Sequence, residues 1–328
     1  MNENNPAALH SNFPAVLCGI MGNLFEIGVA TYTDGVYYNL LFSERLYLGF
    51  YAAKSVLRLA RAFAATRNVF AALDRFYDEP KTPDLGLAYL FPSPVKVPTY
   101  TDNVPSLTFT RRLSRLGETG VLANDEFARQ SGIYLATMTR PRSDGEDTVM
   151  DSSVEAPREE APPDTFDVVV KFTAQYHPEA HALLAKEGLA PILHACVPVC
   201  GGLFMVVMDR VHGEAAWRVR RREELLPNAV YKDIHKAIDV LHCKNFVFGD
   251  LRTPNIMVVA DKSGSQAQSR GMLVDFDWVG CHGIGRYPAS LDDNLEDFMS
   301  SGIERYGIMN KAHDLVMLDR FKGQCHSD

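Results

Sequence analysis

The 328-residue chain lacks a cysteine framework, an uninterrupted apolar run and any excess of positive charge, and each absence removes a class of protein. Its cysteines, Cys18, Cys196, Cys200, Cys243, Cys281 and Cys325, are scattered, which suits a reducing compartment better than a disulfide scaffold. His194, Cys196 and Cys200 have metal-ligand chemistry, but no second ligand pair accompanies them, and they are not read as a zinc site. Lys and Arg together number 33 against 41 Asp and Glu, and the net charge of −8 argues against a broad nucleic-acid surface, which needs clustered cations. Met1 to Phe13 has neither the basic start nor the apolar stretch of a secretory signal. The apolar-rich stretch Leu46 to Tyr77 is broken by Lys54, Arg58, Arg61, Arg67 and Arg75, which a bilayer core would penalise. The expected location is intracellular, cytoplasmic or nuclear, without membrane or nucleic-acid partners.

That stretch reads instead as an amphipathic helix with Leu46, Phe50, Ala53, Leu57, Ala60 and Ala64 on its inward face. Before it, apolar segments at Ala15 to Ile20, Leu24 to Ala30 and Val36 to Phe42 are separated by the hairpin signals Gly22-Asn23 and Asp34-Gly35. Residues 1–78 are therefore expected to form a small sheet-plus-helix unit, followed by a Pro-containing linker over 79–106. The unit carries no recognisable catalytic set, and a regulatory or partner-binding role is expected of it.

Leu107 to Leu116 and Gly132 to Thr139 read as strands joined by a segment containing Gly117 and Gly120. From Arg140 to Asp164 the composition turns to Asp, Glu, Ser and Pro, too poor in large apolar side chains to offset ordering entropy, so a disordered acidic insertion is expected over 140–164. Phe166 to Phe172 alternates around Val168 and Val170 as a strand, with Lys171 on the opposite face. Pro178 to Glu187 reads as a helix, with Pro at its start and Gly188 just past its end. Leu203 to Met208 is a continuous apolar strand, and Asn228 to His242 a helix with Val230, Ile234, Ile238 and Leu241 on one face.

The densest polar pattern follows that helix: Phe248-Gly249-Asp250-Leu251-Arg252-Thr253-Pro254-Asn255, then Leu273-Val274-Asp275-Phe276-Asp277-Trp278. Between them lie two expected strands, Ile256 to Ala260 and Met272 to Val274, and a polar loop. Folded as an antiparallel hairpin, they bring Asn255 and Asp275 to one end with Asp250 nearby. Taken singly, each is an ordinary turn residue. Together, two oxygen ligands beside a third carboxylate suit Mg²⁺, which takes oxygen ligands and commonly bridges to nucleotide phosphates.

An Asp preceding an Asn by a fixed interval, with an Asp-Phe further on, resembles the protein-kinase superfamily. Gly-Asp-Leu-Arg-x-Pro-Asn-Ile with Val-Asp-Phe-Asp-Trp is most similar to fungal protein-kinase-like proteins and less so to the aminoglycoside and choline kinase branches. The resemblance runs from about Leu107 onward. It implies an α+β, bilobal protein-kinase-like fold: an antiparallel sheet lobe over 107–208 and a short, mainly helical lobe over 209–328, preceded by the N-terminal α/β unit. It also implies ATP and Mg²⁺ as cofactors and a γ-phosphoryl transfer to a hydroxyl, expected to be a protein Ser or Thr. A nucleotide-binding scaffold without catalysis, and a small-molecule kinase, are the alternatives.

Residue roles follow from the same resemblance. Asp250 would orient the acceptor and take its proton, Arg252 would sit near the γ-phosphate, and Asn255 and Asp275 would hold the metal. Lys171 would hold the α- and β-phosphates, with Glu179 orienting it through an ion pair in preference to Glu187. Main-chain groups at Asp209 and Val211 would meet adenine, and Asp314 would brace the catalytic loop. Three departures stand out: Gly-x-Gly-x-x-Gly is absent, with Gly117-Glu118-Thr119-Gly120 a weak substitute for a phosphate lid; Phe248 replaces a histidine; and Asp277, expected to be a structural acceptor, replaces a glycine.

Overall fold

The computed structural model describes residues 14–32, 36–46, 53–78, 91–97, 100, 105–114, 117–119, 132–140, 164–261, 268–289, 291 and 302–326. The chain divides into two compact units, Met1–Ser93 with Arg111–Ser131, and Pro94–Thr110 with Gly132–Asp328. The expected insertion between 140 and 164 and most of the expected linker fall outside the described residues. No helix among the described residues is long and apolar enough to cross a membrane.

In the first unit, β1 (Ala15–Met21), β2 (Leu24–Tyr32) and β3 (Val36–Arg45) form an antiparallel sheet in that order. Met21 pairs with Leu24 across a two-residue turn whose Gly22 has φ +59°, a conformation glycine adopts without the Cβ clash other residues meet. Residues 33–35, the second expected turn, lie outside the described set. The helix α1 (Ala53–Asp78) meets the sheet where Phe63 stacks on Phe25 with centroids 5.0 Å apart and Arg58 pairs with Glu44 at 3.2 Å.

The inward face of α1 differs from the expected one. Ser55, Leu59, Ala62, Thr66, Leu73 and Phe76 are its less exposed stripe, whereas Ala53, Leu57, Ala60 and Ala64 are exposed; Phe50 is outside the described residues. Apolar residues occur all round this helix, Val56, Phe63, Val69 and Phe70 among the exposed ones, so periodicity alone could not choose the face.

The strand β4 (Ser106–Ser114) has residues in both units, and its far end pairs with β5 (Gly117–Thr119) within the first. In the second unit, β4 leads a sheet that continues β6 (Ile133–Arg140), β7 (Asp164–Thr173), β9 (Leu203–Asp209) and β8 (Leu193–Val199), in that spatial order. Val168 and Val170 of β7, Met205 and Val207 of β9, and Ala136 and Met138 of β6 bury one face of this sheet. A fully buried aliphatic side chain contributes roughly 1.5–3 kcal/mol, so this face alone can hold the strands in register.

Beyond it come α2 (Pro178–Lys186), the short β10 (Gly213–Ala215), α3 (Ala216–Arg221), α4 (Asn228–Cys243), β11 (Phe246–Val247), β12 (Ile256–Asp261), β13 (Gln268–Leu273), β14 (Gly280–Cys281) and α5 (Lys311–Lys322). Helix α2 starts at Pro178 with the His177 ring accepting from Ala180 N–H at 3.3 Å, and ends before Gly188 at φ +68°. The expected face of α4, Val230, Ile234, Ile238 and Leu241, has no exposed surface and joins Leu184, Phe248 and Phe276 in a second core. Among the described residues, 209–326 hold five short strands besides three helices, a more mixed composition than the mainly helical one expected. The 208/209 boundary expected between lobes falls inside a single compact unit.

Candidate active site

Strands β12 and β13 pair antiparallel with Ile256 opposite Leu273, and Val274 N–H donates to the Asn255 carbonyl at 2.9 Å. Strand β13 begins four residues earlier than expected and stops one residue before Val274. The hairpin thus closes with Asn255 on one side and Asp275 on the other, at one end. Asp275 has φ +69°, a left-handed conformation that Asp tolerates better than most residues.

The loop entering the hairpin is held from below. Asp314 on α5, with no exposed surface, accepts Phe248 N–H at 2.8 Å and Gly249 N–H at 2.9 Å, and its Oδ2 lies 2.9 Å from His242 Nε2. Helix α5 is itself fixed by a capping box in which the Asn310 side chain accepts the His313 N–H and the His313 ring accepts Asn310 N–H, while Asn310 Oδ1 also accepts Ala312 N–H. Gly249 has φ +78°, and a Cβ there would lie 2.4 Å from Met309 Cε and 3.2 Å from the Trp278 carbonyl.

On this loop Asp250 is nearly buried and both of its oxygens are engaged. Arg252 Nε donates to Oδ1, Arg252 Nη2 to Oδ2 at 2.8 Å, and Asn255 Nδ2 to Oδ2 at 2.8 Å. Burial pushes the Asp250 carboxyl up from its ordinary pKa, a direction the Arg252 guanidinium opposes without reversing. Asn255 also donates to the Asp250 carbonyl at 3.0 Å. Its amide nitrogen is committed, so the carbonyl oxygen is the end of the side chain able to ligate a cation.

From β7, Lys171 reaches the same hairpin end. Its Nζ lies 2.7 Å from Asp275 Oδ1 and 2.8 Å from Asp277 Oδ2. Although Lys171 stands on the face opposite Val168 and Val170, it is 9% exposed, unlike a solvated strand lysine. Burial would lower the ammonium pKa; Asp275 and Asp277 together hold it above the ordinary lysine value. Burial likewise works against the Asp275 carboxylate, but Lys171 outweighs it and keeps that group below the usual range. Asp277 moves the other way, pushed up to about 6 by burial and then by the Asp275 charge. Its Oδ1 is buried without a hydrogen-bond partner among the described residues, which fits that direction.

The expected Lys171–Glu179 pair is not formed. Glu179 is exposed in the first turn of α2, where the helix dipole suffices to explain it, and Glu187 pairs with Lys236 at 3.0 Å. The residue of α2 turned toward the loop is His181, fully buried, 2.7 Å from Tyr176 Oη and 2.8 Å from the Pro191 carbonyl, and stacked on Phe276 at 4.5 Å. Burial lowers its pKa to about 4. Sequence reasoning missed His181, and it missed Thr173, whose Oγ1 donates to Asp277 Oδ2 at 2.7 Å. Thr173 follows Lys171 by two residues on a strand, so the two share a face, and that spacing was a usable signal.

At the far end of β9, Asp209 N–H donates to the Ile192 carbonyl at 2.9 Å and its carboxylate pairs with His194. Val211 follows just past the strand. The Gly117–Thr119 segment is strand β5, within the first unit, and Gly120 lies outside the described residues.

Asn255 and Asp275 supply one neutral and one anionic oxygen donor. Among the described residues no three His, Cys, Asp or Glu side chains form a metal cluster. A two-residue oxygen pair fits Mg²⁺, which keeps water and phosphate oxygens as its other ligands, better than it fits metals that need a full protein cage. A cleft of about 130 Å³ beside Asp277 is lined by Tyr176, Trp278, Arg286 and Met309 among others. Ligand pockets run to roughly 300–1,000 Å³, so this cleft alone does not enclose a nucleotide.

No family model matches the chain. No curated protein matches it either. Among solved structures, the chain is similar to one described as the structure of the Cydia pomonella granulovirus kinase, PK-1, with a TM-score of 0.36 and 16% sequence identity. The match covers 64% of this chain and 65% of that one, so the chain spans less than two thirds of the length of that structure.

Proposed function

We propose that the second unit is an ATP- and Mg²⁺-dependent phosphotransferase of the protein-kinase-like kind, moving the γ-phosphoryl group to a hydroxyl, with protein Ser or Thr as the acceptor. One observation carries the reading: a buried lysine on a strand, Lys171, meets Asp275 at the hairpin end that also holds Asn255, with Asp250 hydrogen-bonded to Asn255. Taking a lysine ammonium out of water is costly, and perturbed titratable groups gathered in one place are candidates for a functional site. The motif resemblance to fungal protein-kinase-like proteins points the same way.

In this reading Asn255 and Asp275 hold Mg²⁺, which would neutralise charge on the phosphates. Lys171 presents its ammonium to the α- and β-phosphates. Asp250 positions the acceptor hydroxyl and takes its proton, and its raised pKa makes it a better base than an exposed aspartate. Arg252, freed from Asp250, would meet the γ-phosphate. Adenine would meet main-chain groups at Asp209 and Val211; with Asp209 N–H already donating to the Ile192 carbonyl, Asp209 would contribute its carbonyl. Most of the rate would come from alignment and charge neutralisation.

A nucleotide-binding scaffold is the second reading, favoured by Arg252 and Asn255 occupying both oxygens of Asp250. Thermal-shift titration with Mg-ATP, then a γ-phosphate transfer assay on protein and small-molecule acceptors, separates the two. Transfer abolished by Asp250→Ala supports the enzyme. Binding without transfer supports the scaffold, and Mg-ATP affinity unaltered in Asp275→Ala defeats both. The first unit, lacking a catalytic set, is assigned a regulatory or partner-binding role.

A further inference from the structure

We infer that Asp277, rather than an acidic residue of α2, is the positioning residue that orients Lys171 for phosphate contact; the inference rests on the phosphotransfer reading. Lys171 has two carboxylate partners, Asp275 at 2.7 Å and Asp277 at 2.8 Å. Asp275 follows Val274, whose N–H bonds the Asn255 carbonyl at the hairpin end, so in the phosphotransfer reading Asp275 is the carboxylate committed to the cation. The two carboxylates therefore divide the work: Asp275 serves the metal and Asp277 serves the ammonium.

Asp277 is also fixed independently of the lysine. Thr173 Oγ1 donates to the same Oδ2 at 2.7 Å, and Thr173 shares the Lys171 face of β7, so one strand presents an ammonium and a hydroxyl side by side to a single carboxylate. Lys171 is 104 residues from Asp275 in sequence, and Thr173 is 104 from Asp277, so two parallel contacts tie the strand to the same short segment. Helix α2 contributes no charge to this arrangement, since Glu179 is exposed and Glu187 is paired with Lys236. The orientation of Lys171 is thus built into the segment that carries the metal-site aspartate and does not depend on the placement of a helix.

Two double-mutant cycles on the full chain test this. In urea unfolding, Lys171→Met with Asp277→Asn is expected to show coupling of at least about tenfold in the unfolding equilibrium constant, and Lys171→Met with Glu179→Gln none. In Mg-ATP titrations, Asp277→Asn is expected to weaken binding by about tenfold, with partial recovery in Asp277→Glu and no further loss when Asp277→Asn is added to Lys171→Met. Equal weakening by Asp277→Asn in both backgrounds, or coupling of Lys171 to Glu179 but not to Asp277, overturns the inference. A wild type that fails to bind Mg-ATP defeats the phosphotransfer reading and the nucleotide role of Asp277 together, while the unfolding cycle still decides whether Asp277 is the partner of Lys171.

Discussion

Lys171 Nζ and Asp275 Oδ1 lie 2.7 Å apart although 104 residues separate them in sequence. The ammonium sits between two carboxylates that would repel each other without it. Removing one member of a buried ion pair typically costs about 3–5 kcal/mol, because the remaining charge is left uncompensated. Asp275 and Asp277 keep 34% and 21% of their side-chain surface, so Lys171→Met is expected to destabilise the second unit by less than that full figure, and Asp275→Asn by less still because Lys171 keeps Asp277. Urea unfolding midpoints of the two variants check the order; a larger loss in Asp275→Asn would contradict it.

Asp314→Ala strands the two backbone N–H groups of Phe248 and Gly249 and leaves His242 without its carboxylate. Each unsatisfied buried donor costs about 1–3 kcal/mol, so a loss of roughly 3 kcal/mol or more is expected in chemical denaturation. Faster amide hydrogen exchange at Phe248 and Gly249 should accompany it, and protection unchanged at both would refute the bracing role.

Gly249→Ala meets two obstacles. Its φ of +78° disfavours any Cβ by about 1–2 kcal/mol, and the new methyl would press on Met309 Cε, the Trp278 carbonyl and Tyr287. Met309 is flexible and can move, but the Trp278 carbonyl is backbone. Pairing Gly249→Ala with Met309→Ala should therefore recover only part of the loss in thermal unfolding; full recovery would show that the backbone is unstrained.

His181 gives the pH dependence a definite sign. Its folded pKa, about 4, lies below the unfolded value near 6.5, so the unfolded chain binds the proton more readily in that interval. Stability from His181 is complete above about pH 6.5 and is lost as pH falls toward 4, by about 3 kcal/mol at 1.36 kcal/mol per unit. Asp277, raised to about 6, acts with the opposite sign between its unfolded value of 3.8 and 6. The difference between wild type and His181→Leu isolates the histidine: the stability gap between them should narrow by that amount as pH falls from 7 to 4, and a constant gap would disprove it.

Some of this was legible in the chain and some was not. The hairpin at Asn255 and Asp275 could be read because two apolar segments flanked by these residues pair antiparallel and bring their outer ends together, and Val168, Val170, Val230 and Ile234 could be placed because alternation and helical spacing each point to one face. Helix α1 could not be oriented, since apolar side chains surround it. The partner of Lys171 was misassigned for a different reason: Glu179, Glu187 and Asp277 are equally good carboxylates in a sequence, and only distance in space separates them.

The order of residues determined the local elements and the spacing of Asp250, Asn255 and Asp275, because composition and periodicity act over a few residues at a time. Tertiary structure alone decided that Asp277 and Thr173 flank Lys171, that His181 faces inward on α2 while Glu179 does not, and that Asp314 holds the loop at Phe248 and Gly249. Those contacts join segments tens to a hundred residues apart. Their energies depend on burial and on ångström-scale geometry, which no linear pattern encodes.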